Sequence, residues 1–162
     1  MTHPEALRWS SEGCTIERAA EVVGDRWSLV ILREVMSGIR RFDQMTVRTA
    51  IPRQVLTDRL DRLVTQGILR REPYREPGQR RRLEYRLTDK GIDLYPVLVA
   101  LQQWGDRYLG DESGPPTEFE HRGCGGRVDL VLRCGAGHDV RSTREVVGRL
   151  GPGARPRTAS VP

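Results

Sequence analysis

Lysine is nearly absent from this chain, and long apolar runs and an even set of cysteines are missing as well. Lys90 is the only lysine among 162 residues, so almost all of the basic charge is arginine. No apolar run approaches the length of a membrane span, and the N-terminal MTHPEALRWSS has no signal-peptide core. Three cysteines, an odd number, argue against a secreted disulfide framework. These absences predict a cytoplasmic protein that does not associate with membranes.

The basic charge is concentrated in the middle of the chain. Residues 40–82 contain twelve arginines and five carboxylates, a net charge of +7, whereas the rest of the chain carries −2. A basic region in a mildly acidic remainder is typical of a protein that binds a polyanion. The length suits one domain, or one domain with a small appendage, and is sufficient to bury a core.

The segment Ile51–Gln66, IPRQVLTDRLDRLVTQ, has the pattern of a DNA recognition helix. At 3.6 residues per turn, four apolar side chains fall on one stripe: Leu56, Leu60, Leu63 and Val64. Gln54 and Asp58 fall on the opposite side, with Thr57 at its margin. Pro52 suits the first helical turn and Gly67 suits the turn that ends the helix. A helix that lies in the major groove needs this combination of leucine anchors and hydrogen-bonding side chains.

Three helices are predicted before this segment. The first begins with Thr15 as its N-cap and buries Ile16, Ala19, Ala20 and Val23 on one stripe. The second follows the N-cap Asp25, runs from Arg26 to Ser37, and is apolar over more than half of its circumference. The third is short, roughly residues 42–47, and leads through Thr49-Ala50 into the recognition helix. A helix, a turn and a second helix form a DNA-binding motif.

After Gly67 the periodicity changes to that of strands. Residues 68–74 and 80–87 are predicted to form a hairpin around the turn signal Pro77-Gly78. Four arginines lie near its tip: Arg75, Arg80, Arg81 and Arg82. Such a hairpin is a wing, whose cations contact the sugar–phosphate backbone or the minor groove.

A long apolar helix is predicted from Asp89 to Leu109, with a kink or a break near Tyr95 caused by Pro96. Its apolar stripe is wide for so small a domain, which indicates packing against a second copy. The residues predicted at that interface are Ile16, Leu94, Leu98, Leu101 and Tyr108.

Residues 14–111 resemble the HxlR-type transcriptional regulators, a branch of the MarR-like winged helices. The resemblance lies in CTIERAAEVVGDRWSLVILREV, GIRRFDQM, VLTDRLDRLVTQGIL, PYREPGQRRRLEYRLTDKG and LYPVLVALQQWGD. It is closest to actinobacterial-type members, which share a GPP linker, a cysteine-containing C-terminal piece and a GPGA tail. The chain departs from the pattern at Pro52, where a small or hydroxyl residue is usual, and at the wing tip, which is longer and more basic.

The resemblance implies a homodimer, joined through the first and last helices, that binds double-stranded DNA at a near-palindromic operator. The expected fold is α+β, mainly α with a small β wing and a small β-rich C-terminal appendage. The expected organisation is a leader (1–13), the winged helix-turn-helix domain (14–111), a linker (112–117), a hairpin or eroded zinc-ribbon-like piece (118–150) and a disordered tail (151–162).

The predicted DNA contacts divide into two groups. Six arginines are assigned to phosphates or the minor groove: Arg40, Arg41, Arg53, Arg80, Arg81 and Arg82. Gln54, Thr57 and Asp58 are assigned to base edges, because glutamine pairs with adenine, threonine contacts the thymine methyl and aspartate accepts from cytosine.

The cysteines leave several interpretations open. Cys14 matches the N-terminal cysteine with which some family members sense quinones, aldehydes or oxidants, although a small residue buried at the dimer seam is the alternative. His121, Cys124, Cys134 and His138 form an H-x2-C-x9-C-x3-H pattern that could hold tetrahedral zinc. Because that pattern is incomplete, a small hairpin without metal is the preferred interpretation, and no other cofactor is predicted.

The predicted function is that of a sequence-specific transcriptional regulator, a repressor. Two alternatives concern its effector: an oxidant or electrophile acting at Cys14, or a small aromatic molecule in a dimer cleft near Trp27, Tyr95 and Trp104. An enzyme with Cys14 or Cys134 as nucleophile lacks any supporting motif, so no catalytic residue is assigned.

Overall fold

The computed structural model describes residue 10, residues 13–78 and residues 80–156. The chain divides into two compact units, residues 20–130 and a second unit drawn from residues 1–19 and 131–162. The elements in the described residues are α1 (Thr15–Val23), α2 (Arg26–Met36), α3 (Phe42–Thr49), α4 (Arg53–Thr65), β1 (Leu69–Tyr74), β2 (Arg82–Leu87), α5 (Asp89–Ile92), α6 (Tyr95–Leu109), β3 (Leu132–Arg133) and β4 (Asp139–Val140).

Helix α2 lies at the centre of the larger unit, as its apolar sequence predicts. Its N-cap Asp25 accepts hydrogen bonds from the backbone N–H groups of Trp27 and Ser28, which confirms the predicted cap. Its apolar side chains pack with those of α3, α4 and the start of the wing to form the core, whose buried members are Val23, Ile31, Leu32, Val35, Met45, Ile51, Leu56, Leu60, Leu63, Ile68 and Leu69. Burial of a large apolar side chain contributes roughly 1.5–3 kcal/mol, so this cluster holds the helices in place.

Helices α3 and α4 form the helix-turn-helix. Helix α3 runs two residues beyond the predicted Val47, to Thr49, whose hydroxyl donates to the carbonyl of Met45. Ala50 then adopts a left-handed conformation (φ +53°), which turns the chain sharply into the buried Ile51. Helix α4 ends before Gly67, which takes the predicted left-handed conformation (φ +67°).

Strands β1 and β2 form the antiparallel wing, with a register from Leu69 opposite Leu87 to Tyr74 opposite Arg82. The predicted start of the second strand at Arg80 is wrong, because β2 begins at Arg82. Gly78 has φ +77° in the predicted turn, and the chain regains its partner strand only at Arg82. The segment before α3 pairs briefly with β2, since the N–H of Tyr85 donates to the carbonyl of Arg40.

The last helical region is divided, as Pro96 predicts. The short α5 is capped by the hydroxyl of Thr88, which accepts from the N–H of Gly91. Helix α6 then begins at Tyr95 with Pro96 in its first turn, where the missing N–H loses no intrahelical partner. Leu94 and Leu98 pack against the core of the same chain.

Residues 117–130 contact α6. The side-chain amide of Gln102 donates to the carbonyl of Thr117, and the amide oxygen of Gln103 accepts from the N–H of Leu130. The rings of Tyr95 and Phe119 meet edge to face with their centroids 5.6 Å apart. The first part of the predicted C-terminal piece therefore belongs to the larger unit.

Helix α1, whose last four residues belong to the larger unit, differs in detail from the prediction. Helix α1 begins at Thr15, and the carbonyl of Cys14 accepts the first helical hydrogen bond from Arg18, so Cys14 occupies the cap position predicted for Thr15. Of the predicted apolar stripe of α1, only Val23 is buried, while Ile16, Ala19 and Ala20 are exposed.

The described β structure of the appendage consists of the antiparallel two-residue strands β3 and β4 and a single antiparallel bridge between Glu120 and Arg127. The predicted leader falls largely on residues outside the described part (1–9, 11 and 12), as does the end of the predicted tail (157–162). In the part of the chain that the structure describes, no helix has the length and apolarity that a membrane crossing requires.

Candidate nucleic-acid interface

Helix α4 presents its predicted base-contacting residues to solvent because its other side is fixed in the core. Leu56, Leu60 and Leu63 are fully buried, as the leucine stripe predicts. Gln54, Thr57 and Asp58 are all exposed, in the first two turns of the helix. A rigid helix with an exposed polar N-terminal half is suited to a DNA groove.

All three of these side chains already make hydrogen bonds. The amide Nε2 of Gln54 donates to Oδ1 of Asp58 over 2.8 Å. The hydroxyl of Thr57 donates to the carbonyl of Arg53 over 3.0 Å, so its only proton is used within the helix. Thr57 can therefore offer a base its methyl group or a lone pair, which suits contact with a thymine methyl.

The N-terminus of α4 has no side-chain cap. Pro52 occupies the cap position, and the backbone N–H groups of the first turn have no partner within the helix. The guanidinium of Arg53 lies 5.0 Å from the ring centroid of Phe42 on α3, which holds a positive charge beside this helix end. Free amides next to a cation form a suitable place for a phosphate group.

Helix α4 is also fixed by polar contacts that the sequence analysis did not identify. Nε of Arg59 lies 2.9 Å from Oδ1 of Asp25, the residue that caps α2. Burial raises the pKa of Asp25, but hydrogen bonds from Ser28 and Arg59 outweigh it and leave the pKa below its ordinary value. Asp25 thus joins the central helix to the recognition helix. The signal available in the sequence was an arginine beside the leucine stripe of α4.

Asp61 on the exposed side of α4 forms an ion pair with Arg71 of β1. Hydrogen bonds with Tyr85 and Asp61 hold the pKa of Arg71 above its ordinary value, so this guanidinium stays charged. The pair ties the wing to the recognition helix, and Asp61 is not left facing a DNA backbone as an isolated charge.

Arg41, predicted to contact phosphate, is engaged within the protein. Its guanidinium forms an ion pair with Glu76 and lies 4.2 Å from the ring centroid of Tyr74. Its backbone also forms an isolated bridge with Glu84 of β2. These contacts attach the wing to the segment before α3, and the phosphate contact predicted for Arg41 would compete with them.

The remaining predicted phosphate contacts differ in how far their charge is already balanced. Arg82 lies 3.8 Å from Asp43, and the charge of Arg40 is close enough to Glu72 to help lower the pKa of that carboxylate. Within residues 13–78 and 80–156, no carboxylate pairs with Arg53, Arg80 or Arg81. Arg80 and Arg81 are exposed at the wing tip, beside residue 79, which the structure does not describe. These three arginines are the strongest candidates for phosphate contact.

Two further wing arginines, Arg70 and Arg86, are neutralised by neighbouring carboxylates. Arg70 and Arg86 both pair with Glu72, over 2.8 and 2.7 Å, and Arg86 also pairs with Glu84 over 2.6 Å. The hydrogen bond from Arg70 holds the pKa of Glu72 below its ordinary value, and the hydrogen bond with Glu84 holds the pKa of Arg86 above its ordinary value. The net positive charge of the region is therefore expressed mainly at the wing tip and at the start of α4.

An exposed apolar stripe runs along α6. It consists of Val97, Leu101, Trp104 and Tyr108, which are 52%, 47%, 54% and 60% exposed. Their spacing of four, three and four residues places them on one side of the helix. Leu94 and Leu98, which the sequence predicted at the same interface, instead face the core of their own domain. Ile16 of α1 is 79% exposed, as an interface residue would be in the isolated chain.

All three cysteines are free and exposed. Nδ1 of His121 lies 3.3 Å from Sγ of Cys124, and Nδ1 of His138 lies 3.6 Å from Sγ of Cys134. Hydrogen bonds from the backbone of His138 and Ala136 lower the pKa of Cys134. Each half of the predicted H-x2-C-x9-C-x3-H pattern thus forms a Cys–His pair. No group of three or more potential ligands is present in the described part of the chain.

The chain is similar to known regulators along most of its length. The profile of HxlR-like helix-turn-helix proteins matches residues 22–113. A Mycobacterium tuberculosis protein described as an uncharacterized HTH-type transcriptional regulator is 43% identical over 149 residues, which are 92% of this chain and 93% of that protein. The crystal structure of PA1607, a proposed transcription factor, has a TM-score of 0.73 at 33% identity and covers 85% of this chain and 96% of its own. The redox regulator HypR in its reduced form has a TM-score of 0.51 at 26% identity, over 59% of this chain and 96% of HypR.

Proposed function

Because the chain belongs to the HxlR-like helix-turn-helix family, it is a DNA-binding transcriptional regulator, and we propose that it is a homodimeric repressor of a near-palindromic operator. The observation that carries this proposal is that the leucines of α4 are buried in the core while the polar side chains at the start of the same helix are exposed. The arginines at the wing tip are exposed as well. In the proposed complex, Gln54 and Thr57 contact base edges in the major groove. Arg53, Arg80 and Arg81 contact phosphates on either side, and Arg80 or Arg81 also enters the minor groove.

The dimer is formed by the exposed stripe of α6. Four large apolar side chains exposed on one helix are unusual for a monomer, because each would gain about 25 cal/mol per Å² on burial. A two-fold dimer brings the same stripe from each chain together. It also presents two copies of α4 to successive major grooves, so the half-sites lie roughly 34 Å apart, centre to centre. A dimer bound across a promoter excludes other proteins from it, which makes repression the simplest mode of action.

The regulator works where chromosomal DNA is, so we place it in the cytoplasm, and we assign it no catalytic activity. The second candidate property is redox sensing through Cys14. It is favoured by the exposure of this thiol at the start of α1 and by the likeness to HypR, a protein described as a redox regulator. A regulator that instead answers to a small aromatic molecule would still release DNA after Cys14→Ser, whereas a redox sensor would not.

Footprinting of genomic fragments that the purified protein retains tests the main proposal. We expect protection of two inverted half-sites separated by about one helical turn, roughly 34 Å. Protection of a single, asymmetric segment, or retention of fragments without any shared sequence, would contradict the proposed mode of binding.

A further inference from the structure

The hydrogen bond between Gln54 and Asp58 places a carboxylate on the surface that faces DNA. Helix α4 carries two acidic residues, and they differ in whether they form an ion pair. Asp61 is paired with Arg71, whereas Asp58 has no arginine partner in the described part of the chain. Beside a polyanion an unpaired carboxylate weakens binding, so its presence in the second turn of α4 calls for a specific role.

Two roles are chemically possible for Asp58 in a DNA groove. Its carboxylate could accept directly from the N4 amino group of cytosine, or it could act through a neighbouring side chain. The geometry favours the second role, because Oδ1 already accepts from Nε2 of Gln54 over 2.8 Å. Both side chains are exposed, so the pair can enter the groove as one unit.

This hydrogen bond determines which end of the Gln54 amide faces Asp58. A carboxylate accepts hydrogen bonds but cannot donate them, so only the NH2 end of the amide can face Asp58. The Oε1 atom then points to the other side, and one N–H of Nε2 remains unused. One donor and one acceptor in a fixed order match N7 and the N6 amino group of adenine. Guanine offers two acceptors, N7 and O6, and cannot satisfy Oε1.

We propose that Asp58 is a positioning residue that fixes the amide of Gln54, so that the pair selects adenine over guanine at one position of each half-site. The proposal rests on the proposed function, since it requires α4 to lie in the major groove. In water an exposed glutamine–aspartate pair is weak, but the exclusion of water from the groove strengthens it. The negative charge of Asp58 also disfavours the O6 acceptor of guanine.

Selection of binding sites from random duplexes by the full-length protein tests this assignment. The variants are Gln54→Ala, which removes the reading group, and Asp58→Asn, which keeps the shape but can present either end of its own amide. Asp61→Asn is the charge control, because it removes one carboxylate from the same helix and leaves the hydrogen bond between Gln54 and Asp58 in place. It also breaks the ion pair with Arg71, and we expect that loss to change the overall affinity and not the base preference. We expect the wild type and Asp61→Asn to select adenine at one position of each half-site. Gln54→Ala and Asp58→Asn should lose that preference over guanine on the order of tenfold, with all other positions unchanged.

Three results would overturn the proposal. An adenine preference that survives Asp58→Asn would show that Asp58 does not orient Gln54. If Asp58→Asn changed the base preference at a position where Gln54→Ala has no effect, Asp58 would contact a base itself. The same loss of adenine preference in Asp61→Asn would show that the preference does not depend specifically on the hydrogen bond between Gln54 and Asp58. A wild-type protein that selects no common sequence would refute the proposed function as well, which separates that failure from the other three.

Discussion

Asp25 shows how one side chain can support a binding surface that it does not belong to. Its carboxylate caps α2 and binds Arg59 of α4, so the recognition helix is fixed to the centre of the domain by charge as well as by leucines. Sequence patterns predict the cap, because an aspartate before an apolar helix is a local signal. They do not predict the ion pair, because its two partners are 34 residues apart and meet only in the folded chain.

Asp25→Ala is expected to lower the free energy of unfolding by about 1–2 kcal/mol, since it removes both the cap and the ion pair. Asp25→Asn should cost less, because asparagine is also a good cap but carries no charge for Arg59. The pKa of Asp25 is below its ordinary value of 3.8, so the contribution of its charged form is present at neutral pH and is lost as the pH falls through the folded-state pKa. Denaturant unfolding of wild type and Asp25→Asn should therefore differ at pH 7 and converge in acid. A difference that does not change with pH would show that the charge of Asp25 does not contribute.

The elements of the domain differ in how well their sequence predicts them. Helix α2 is predicted to within one residue and helix α4 to within two, because leucine spacing and end signals such as Asp25 and Gly67 act locally. The division of the last helix follows from Pro96 alone. The start of β2 is less predictable, because a strand exists only where its partner can pair with it, and the longer wing tip delays that pairing to Arg82.

The candidate site is predicted less completely than the fold. The exposure of Gln54, Thr57 and Asp58 follows from helical periodicity, and the structure agrees with it. The distribution of arginine charge does not follow from the sequence, because long side chains choose partners in space. Arg41 contacts Glu76 and Tyr74, while Arg81 has no carboxylate partner in the described residues.

Wing arginines with a carboxylate partner should contribute less to DNA binding than wing arginines without one. The double variant Arg80→Ala/Arg81→Ala should weaken operator binding and reduce the slope of log K against log salt by roughly 0.9 for each phosphate contact that is lost. The matched control, Arg70→Ala/Arg86→Ala, removes the same number of charges from positions already neutralised by Glu72 and Glu84, so its salt slope should change less. Titrations by fluorescence anisotropy at several salt concentrations measure both. Equal effects of the two double variants would mean that the wing acts through its total charge and not through its tip.

For the molecule as a whole, the important feature of α6 is that two of its sides are in contact with the same chain and a third is exposed. Leu94 and Leu98 join it to its own core, Gln102 and Gln103 hold residues 117–130, and the apolar stripe of Val97, Leu101, Trp104 and Tyr108 is left exposed. Binding to a full operator depends on this exposed stripe, because a single copy of α4 reads only one half-site. Pairing through α6 would link two weak DNA contacts into one strong one, with a gain on the order of a hundredfold or more.

The most direct test of that central claim combines sedimentation with operator binding for Leu101→Glu. Ile92→Glu, which changes an exposed apolar residue of α5 outside the stripe, serves as its control. We predict that the wild type and Ile92→Glu sediment as dimers and bind the full operator tightly. Leu101→Glu should sediment as a monomer, and its affinity for the full operator should fall to that for an isolated half-site. A Leu101→Glu protein that remains dimeric and binds the full operator as the wild type does would contradict pairing through α6.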